Sequence, residues 1–319
     1  MATAGAVDGL VGRCAEMEAL RQRIGRVASS ELRVHVCGET GTGKECVARA
    51  LHDLSPRARR RFVPVNVAGF SDELFVSELF GHARGAFTGA TAAREGYVAE
   101  AEGGTLFVDE VAEMSPLAQV RLLRFLQQRE YQRLGETCPR RADVRVISAT
   151  NVDLARLVQE RRFRQDLYFR LVEERLLVPP LRERGDDVLL LARHFLRAFC
   201  QPLGRPQPVL GPQAEALLRR YPWPGNVREL ESQMRRLVVL ASGREVRGCD
   251  LGPEIAGAET TASPAGGLHA AMRCIESEIL RRTLERHGGV QARAAAELGI
   301  TRQALCAKLR RLRGLVGAA

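Results

Sequence analysis

Apolar positions change period repeatedly along the first 180 residues, and each change predicts an element. From Ala15 to Val27 they recur at helical spacing, which predicts an amphipathic helix. Leu32, Val34 and Val36 then alternate with Arg33 and His35 like a strand, while Val47, Ala48, Ala50 and Leu51 return to helical spacing. Phe62 to Val67 alternates again, as a strand ending near Asn66. Gly103 to Val108 is a glycine turn running into a buried strand, Leu117 to Leu126 is a helix, and Val144 to Ala149 is a further apolar strand. Pro179 and Pro180 stop regular structure, and helices are predicted over Val188 to Phe199, Pro212 to Arg220 and Asn226 to Leu240, the last after a Pro-Trp-Pro-Gly break. The alternation of strands and helices predicts an α/β fold followed by a small helical lid.

A stretch of small residues without periodicity, Gly257 to Gly267, reads as a linker to a second domain. Beyond it a helix is predicted from His269 to Arg286, a second from Gln291 to Leu298, a tight turn at Gly299-Ile300, and a third helix from Thr301 to Leu312, capped by Thr301. This order is that of a helix-turn-helix. Ala294, Ala295 and Leu298 form the buried face of its first helix, Ile300 fills the turn, and Leu305 and Leu309 anchor the second helix. Arg302, Gln303 and Ala304 are then expected to face base edges, with Lys308, Arg310, Arg311 and Arg313 suited to phosphates. A plain three-helix bundle without DNA function is the alternative.

The chemistry concentrates where the first strand meets its helix. Gly38 to Glu45 reads Gly-Glu-Thr-Gly-Thr-Gly-Lys-Glu, and Gly38, Gly41 and Gly43 let backbone N–H groups converge on an anion without Cβ obstruction. Glu39, Thr40 and Thr42 complete this phosphate cradle, and Lys44 would add a full charge on the β and γ phosphates. The lysine is informative because, of 48 cationic residues, only Lys44 and Lys308 are lysine. A compact, flexible ammonium is therefore selected here over the arginine fork used elsewhere. Glu45 stands where a magnesium-ligating Ser or Thr is usual, so the metal needs another partner.

Asp109 and Glu110 end the Gly103 run, where Asp109 can hold water-bound magnesium and Glu110 can polarise the water that attacks a γ-phosphate; a strand followed by an acidic turn is the alternative. Thr150 and Asn151 reach the same rim. Arg164 and Arg170 lie six apart on a predicted helix and its exit, and read by themselves as two surface arginines. Arg228 falls in the first turn of a helix, where a cation opposes the dipole, so a nearby phosphate would give it a reason. Phe80 to Ala90 has too many glycines for a regular helix and places Phe87 beside Thr88 among small residues. Two readings of that loop stand: a tip inserted into a partner, or a structural turn burying the ring.

Charge and cysteine usage add limits. The net charge is +10, and from Leu268 onward ten Lys/Arg face four Glu, so more than half of the excess sits in the last sixth of the chain and suggests a nucleic-acid contact there. A solvated arginine-rich helix is the bland account of the same charge. The run Arg57 to Arg61 is expected to be a solvated loop. Eight scattered cysteines with no Cys-x-x-Cys pair argue against zinc and disulfides and are expected to be small apolar fillers. Neither a membrane-length apolar run nor a signal peptide is present, so the expected location is the cytoplasm, away from membranes.

Taken together, the phosphate loop, Asp109-Glu110, the Gly85 to Ala90 hexapeptide Gly-Ala-Phe-Thr-Gly-Ala and the Trp223 to Leu230 run Trp-Pro-Gly-Asn-Val-Arg-Glu-Leu resemble the bacterial enhancer-binding activators of sigma-54 RNA polymerase. These are the NtrC-like branch of the AAA+ P-loop ATPases, with a parallel sheet, a helical lid and a Fis-type helix-turn-helix. The likeness spans Leu10 to Leu312, and it also removes the difficulty over Glu45, since the family uses Gly-Lys-Glu there. The resemblance implies ATP and Mg²⁺ as cofactors, Lys44 as the Walker A lysine, and Asp109 and Glu110 as the Walker B pair. It further implies Asn66 as the restraint on the catalytic glutamate, Thr150 and Asn151 as sensor I, Arg164 and Arg170 as arginine fingers, and Arg228 as sensor II. Gly85, Ala86, Phe87, Thr88, Gly89 and Ala90 become the sigma-54 contact, and Thr301, Arg302, Gln303, Ala304, Lys308, Arg310 and Arg311 the DNA contact.

The implied function is ATP-driven remodelling of the sigma-54 closed complex by a hexamer on enhancer DNA, reached through a DNA-bound dimer. The expected layout is a disordered start at 1–9, an ATPase subdomain at 10–178, a lid at 179–250, a linker at 251–267 and the DNA-binding domain at 268–319. The family's N-terminal receiver or sensory domain is not in this sequence, so control is expected from a separate protein acting in trans. Gly-Gly-Val at 288–290, where Fis-type domains have Gly-Asn, is a departure at that turn. A DNA-binding regulator in which nucleotide only switches assembly, and a general AAA+ unfoldase or clamp loader, are the competing functions. The second leaves the Fis-like tail unexplained.

Overall fold

The computed structural model describes residues 9–87, 90–240, 245–256, 280, 283, 286–287, 290–301 and 303–305. The chain divides into two compact units, residues 1–252 and 253–319.

In the first unit, helix α1 (Ala15–Ala28) precedes strand β1 (Val34–Cys37), the glycine-rich loop and helix α2 (Lys44–Asp53). Strand β2 (Phe62–Asn66) and helix α3 (Asp72–Phe80) follow, then a hairpin of β3 (Gly81–His82) and β4 (Arg94–Glu95), helix α4 (Tyr97–Glu100) and strand β5 (Thr105–Asp109). Helix α5 (Pro116–Gln128) leads into a second hairpin, β6 (Glu130–Tyr131) with β7 (Arg140–Arg141), before strand β8 (Arg145–Thr150), helices α6 (Leu154–Gln159) and α7 (Gln165–Leu171), and strand β9 (Glu174–Leu177). The sheet runs β2-β5-β8-β1-β9 with every pairing parallel.

β1 is the fourth strand of the sheet, between β8 and β9, and all four of its residues are buried, so neither face is exposed as its alternating sequence pattern implies. His35, expected on a polar face, is buried, and its Nδ1 lies 2.8 Å from Ser148 Oγ across the strand pair. Burial pushes its pKa down to about 4. Leu32, read as the first strand position, lies outside β1 and is exposed. On one face α1 packs Met17, Leu20, Ile24 and Ala28 against β1 and α2, in the i, i+3, i+4 pattern of an amphipathic helix. The buried Arg145 guanidinium donates to Val27 O at 3.1 Å and Ala28 O at 2.8 Å, satisfying carbonyls at the end of α1. α5 begins on a Ser115 cap with Pro116 in its first turn, and lays Ala118, Leu122 and Phe125 on the other face of the sheet.

Two further expectations are corrected here. Arg57 is not a solvated loop residue: it bridges Glu31 and Asp143, with Nη2–oxygen distances of 3.0 Å, and clamps the loops at the start of the strands. The cysteines are not uniformly fillers. Cys37 and Cys200 are buried, but Cys46 and Cys138 are exposed; Cys274 and Cys306 lie outside the described residues.

After β9 the chain forms helix α8 (Asp187–Cys200), strand β10 (Val209–Leu210), helices α9 (Pro212–Arg220) and α10 (Asn226–Leu240), and strand β11 (Glu245–Val246), which pairs in parallel with β10. The three helices stand where the sequence pattern predicts them; the strand pair does not follow from it, because two residues carry no period. Among the described residues no helix is long and apolar enough to cross a membrane.

In the second unit, α11 (Pro253–Ala256) and α12 (Gln291–Glu297) are defined. Ala294, Ala295, Leu305 and Leu280 form a small core, with Leu298 and Ile300 against it. Gly299 takes φ 64°, and Thr301 Oγ1 accepts from Ala304 N at 3.2 Å. Glu297 holds both Arg286 and His287. The linker at 257–267, most of the helix expected over 269–286, and Leu309 lie outside the described residues.

Candidate nucleotide site

Strands β5, β8 and β1 end at one edge of the sheet, and the sequence-predicted polar residues collect there. The loop from Gly38 to Gly43 turns from β1 into α2 with Gly41 at φ 78° and Gly43 at φ 98°, conformations that side chains resist. A Cβ on Gly41 would lie 2.3 Å from Gly225 O, whereas one on Gly43 meets nothing within 4 Å. Gly41 is thus fixed by close packing, while Gly43 leaves the approach to the start of α2 open for an anion.

Lys44, the first residue of α2, is nearly buried. Its Nζ donates to Gly38 O at 3.0 Å and lies 3.8 Å from Glu110 Oε1. Glu110 Oε2 accepts from Asn151 N at 3.3 Å, and Asn151 Nδ2 donates to Thr40 Oγ1 at 2.9 Å. Four residues drawn from the loop, the start of α2 and the ends of β5 and β8 therefore form one connected network. Glu110 holds φ 53° and ψ 45°, a left-handed conformation uncommon outside glycine, and Asp109 Oδ1 accepts from Glu110 N at 3.0 Å. Thr150 Oγ1 caps Val152 N at 3.2 Å.

Other sequence-predicted residues stand differently. Asn66 is in register with Asp109 across β2 and β5, but its Oδ1 caps the following turn through Ala68 N at 2.9 Å. Glu45 is exposed and faces Arg49 one turn on at 3.5 Å. Arg164 precedes α7 as its cap residue, so the helix separates the two arginines differently from the predicted order. Arg164 is held by Asp166 through Nε at 3.0 Å and Nη2 at 2.7 Å, whereas Arg170, in the last turn of α7, is exposed beside the exposed Phe169.

Lid residues that the sequence did not single out reach into the loop. Asn226 is fully buried at φ 53° and donates Nδ2 to Glu39 Oε2 and to Thr40 O, both at 3.1 Å. Arg182 forks onto Glu39 at 2.8 and 2.6 Å, and the buried Arg184 donates to Thr42 O at 3.0 Å. The Arg182 fork and the Asn226 amide hold the Glu39 carboxyl down to about 2. Arg228 meets the loop through its backbone, N to Gly41 O at 3.2 Å, while its side chain is exposed. The signal available in sequence was an asparagine after glycine at a helix start, since Asn tolerates the left-handed region.

Away from this edge, Gly85 to Phe87 and Ala90 lie in the connection between β3 and β4. Gly85 N donates to Ala90 O at 2.8 Å and Ala90 N to Phe87 O at 3.0 Å, which closes the loop on itself. Phe87 is 42% exposed, and its ring lies edge-on to that of His82, 5.1 Å between centroids. That exposure favours the inserted tip over the buried turn. Ala86 is half-buried and Ala90 buried; Thr88 and Gly89 lie outside the described residues. In the second unit Gln303 is exposed, but Ala304 is half-buried and does not face outward as expected. Arg302, Lys308, Arg310, Arg311 and Arg313 lie outside the described residues.

The donor set fits a nucleoside triphosphate with a divalent cation: backbone donors at a helix start, one buried ammonium, and two carboxylates at a strand end. Among the described residues no cluster of three or more His, Cys, Asp or Glu could hold a metal by itself.

Comparison with known proteins bears directly on this arrangement. The family described as "Sigma-54 interaction domain" matches residues 10–176, an "AAA+ ATPase lid domain" residues 182–267, and a "Bacterial regulatory protein, Fis family" residues 271–312. The transcriptional regulatory protein ZraR of Klebsiella oxytoca is 47% identical over 97% of this chain and 70% of its own length. The DNA-binding transcriptional regulator NtrC of Salmonella typhimurium is 46% identical over 82% of this chain and 56% of its own. The crystal structure of NtrX from Brucella abortus in complex with ATP superposes with a TM-score of 0.74 at 36% identity, covering 95% of this chain and 69% of that one. With a P-loop sheet, a lid and a Fis-type segment in that order, the chain belongs to the NtrC-like AAA+ ATPases that act as sigma-54-dependent transcription activators.

Proposed function

We propose that this protein hydrolyses ATP at the interfaces of a hexameric ring on enhancer DNA, and uses the Phe87-Thr88 tip to remodel a sigma-54 closed complex into an open one. The observation that carries the reading is the network joining Lys44, Glu110, Asn151 and Thr40, because it brings together one cation, one carboxylate and two polar side chains, the set that binding a γ-phosphate and orienting its attacking water would use. Lys44 binds the phosphates and Glu110 orients the water, with Asn66 as its restraint. Asn151 and Thr150 register the phosphate from the end of β8. A magnesium ion held through water by Asp109 would neutralise phosphate charge. Arg228 supports the nucleotide from the lid.

Arg170 completes a neighbour's site in trans. Arg164 is the weaker candidate because Asp166 already holds its guanidinium. The layout that goes with this reading is an ATPase subdomain at 10–178, a lid at 179–250, a linker at 251–267 and a DNA-binding domain at 268–319. Thr301, Arg302, Gln303, Ala304, Lys308, Arg310 and Arg311 serve the DNA contact.

Mixing inactive subunits tests the shared site. Arg170→Ala and Lys44→Ala chains are each expected to be nearly inactive as ATPases, and mixtures to regain turnover through interfaces that pair an intact Lys44 with an intact Arg170. Complete absence of rescue at every mixing ratio would reject a shared interface.

A further inference from the structure

Three consecutive carbonyls of the phosphate loop are held from the lid side. Thr40 O accepts from Asn226 Nδ2 at 3.1 Å, Gly41 O from Arg228 N at 3.2 Å, and Thr42 O from Arg184 Nη2 at 3.0 Å. In a planar trans peptide the carbonyl and the following N–H point in opposite directions. Fixing these carbonyls toward the lid therefore turns the N–H groups of Gly41 and Gly43 away from it, while the Thr42 N–H donates within the loop to Glu39 O at 3.4 Å. The loop packs directly against the start of the lid helix, since a single added carbon at Gly41 would meet Gly225 O at 2.3 Å.

Asn226 stands out among the three because it makes a second bond to the loop and a third to its own lid. Its Nδ2 also donates to Glu39 Oε2, and its Oδ1 accepts from Leu181 N at 2.8 Å. Arg182, next to Leu181, forks onto the same Glu39 carboxylate. The contact is fully buried at Asn226, and it is reached only by a left-handed backbone at φ 53°. Asparagine and aspartate are enriched in that conformation, but only asparagine brings a donor to the Glu39 carboxylate.

We propose that Asn226 is a positioning residue for nucleotide binding: it presents the phosphate-loop N–H groups to the phosphates and ties the lid to the loop through Thr40 O and Glu39. This rests on the nucleotide reading of the site. Linkage then requires reciprocity: whatever the lid lends to phosphate affinity, bound phosphate returns as resistance to lid opening.

Asn226→Asp tests this with little change of shape, because it keeps the acceptor for Leu181 N and the tolerance for positive φ while removing the donor. It is expected to weaken binding of a fluorescent ADP analogue and raise the ATP KM by about tenfold or more, the effect of losing a hydrogen bond to a charged group. The kcat of the assembled ring should stay within about threefold, because Asn226 serves binding and not the chemical step. Adding Glu39→Gln in the same chain lets an amide at position 39 donate to the carboxylate introduced at position 226, so the double variant should recover part of the lost affinity. A merely structural role would not give that rescue.

An unchanged KM, a fall confined to kcat, or a double variant no better than N226D would overturn the proposal. Were N226D unfolded by circular dichroism, Glu39→Ala reads the same contact from its exposed side: about threefold weaker ADP binding supports the proposal and unchanged binding overturns it. A wild-type chain that neither binds nor hydrolyses nucleotide would overturn the nucleotide reading itself, whereas normal wild-type binding with an indifferent N226D overturns this inference alone.

Discussion

The loop at residues 38–43 and the loop at residues 83–93 both leave a short strand, and both are rich in glycine, yet the fold treats them in opposite ways. The first is braced from outside by Asn226, Arg182, Arg184 and Arg228 of the lid and by Asn151 at the end of β8. The second is closed mainly by its own backbone bonds between Gly85, Phe87 and Ala90, and it presents an aromatic ring to solvent. Hydrolysis requires donors fixed to a fraction of an ångström. A tip that engages a partner instead requires apolar surface left uncovered, which is tolerable only when it is small. Under the proposed function, chemistry and partner contact fall on separate elements, so variants should affect one without the other.

The largest expected effect lies on the chemical side. Arg170→Ala should lower kcat by about 10³ or more while ATP still binds, the range for an arginine that stabilises transferred charge, and Arg164→Ala should do less because Asp166 already engages it. Steady-state kinetics and nucleotide titration read both. Equal losses would break the distinction between the two arginines.

Next is the rigidity of the sheet beneath the phosphate loop. His35 is buried with its pKa pushed down to about 4, below the ordinary value of 6.5. Folding therefore favours its neutral form. Its stabilising contribution is complete above about pH 6.5 and is lost as pH falls toward 4, a change of roughly 3 kcal/mol from the width of that window. Urea midpoints of the wild type should fall across this window, and a His35→Gln variant should show a flatter profile there. Parallel profiles would mean another group controls the acid limb.

The smaller effect, and the sharpest test of separation, concerns the hairpin. Phe87→Ala should cut open-complex formation by about thirtyfold, as for an interface anchor worth about 2 kcal/mol, and leave ATPase activity within about twofold. Comparable loss of both activities would show that the hairpin supports the site instead of serving a partner.

Sequence reading located the loop, Asp109-Glu110 and the lid helices because each depends on local rules. Glycine at positive φ, a lysine among arginines, and apolar residues at helical spacing are properties of neighbours along the chain. The same reasoning erred on His35 and Arg57. Alternation along β1 suggests one polar face, but β8 and β9 flank the strand and helices cover it, so both faces are interior. Arg57 falls in a basic run that looks solvated, yet Glu31 and Asp143, distant in sequence, meet it in space.

What the sequence alone determined, then, is the order of elements and the residue types that can hold a phosphate, since both are written in local periodicity and backbone preference. Only the tertiary structure decided that Asn226, a residue of the lid, donates to the carbonyl of Thr40 far back along the chain, and that Phe87 is exposed while Phe163 is buried. Contacts between residues far apart in the chain arise from how the layers pack, and no period along a single segment encodes which distant segment will face it.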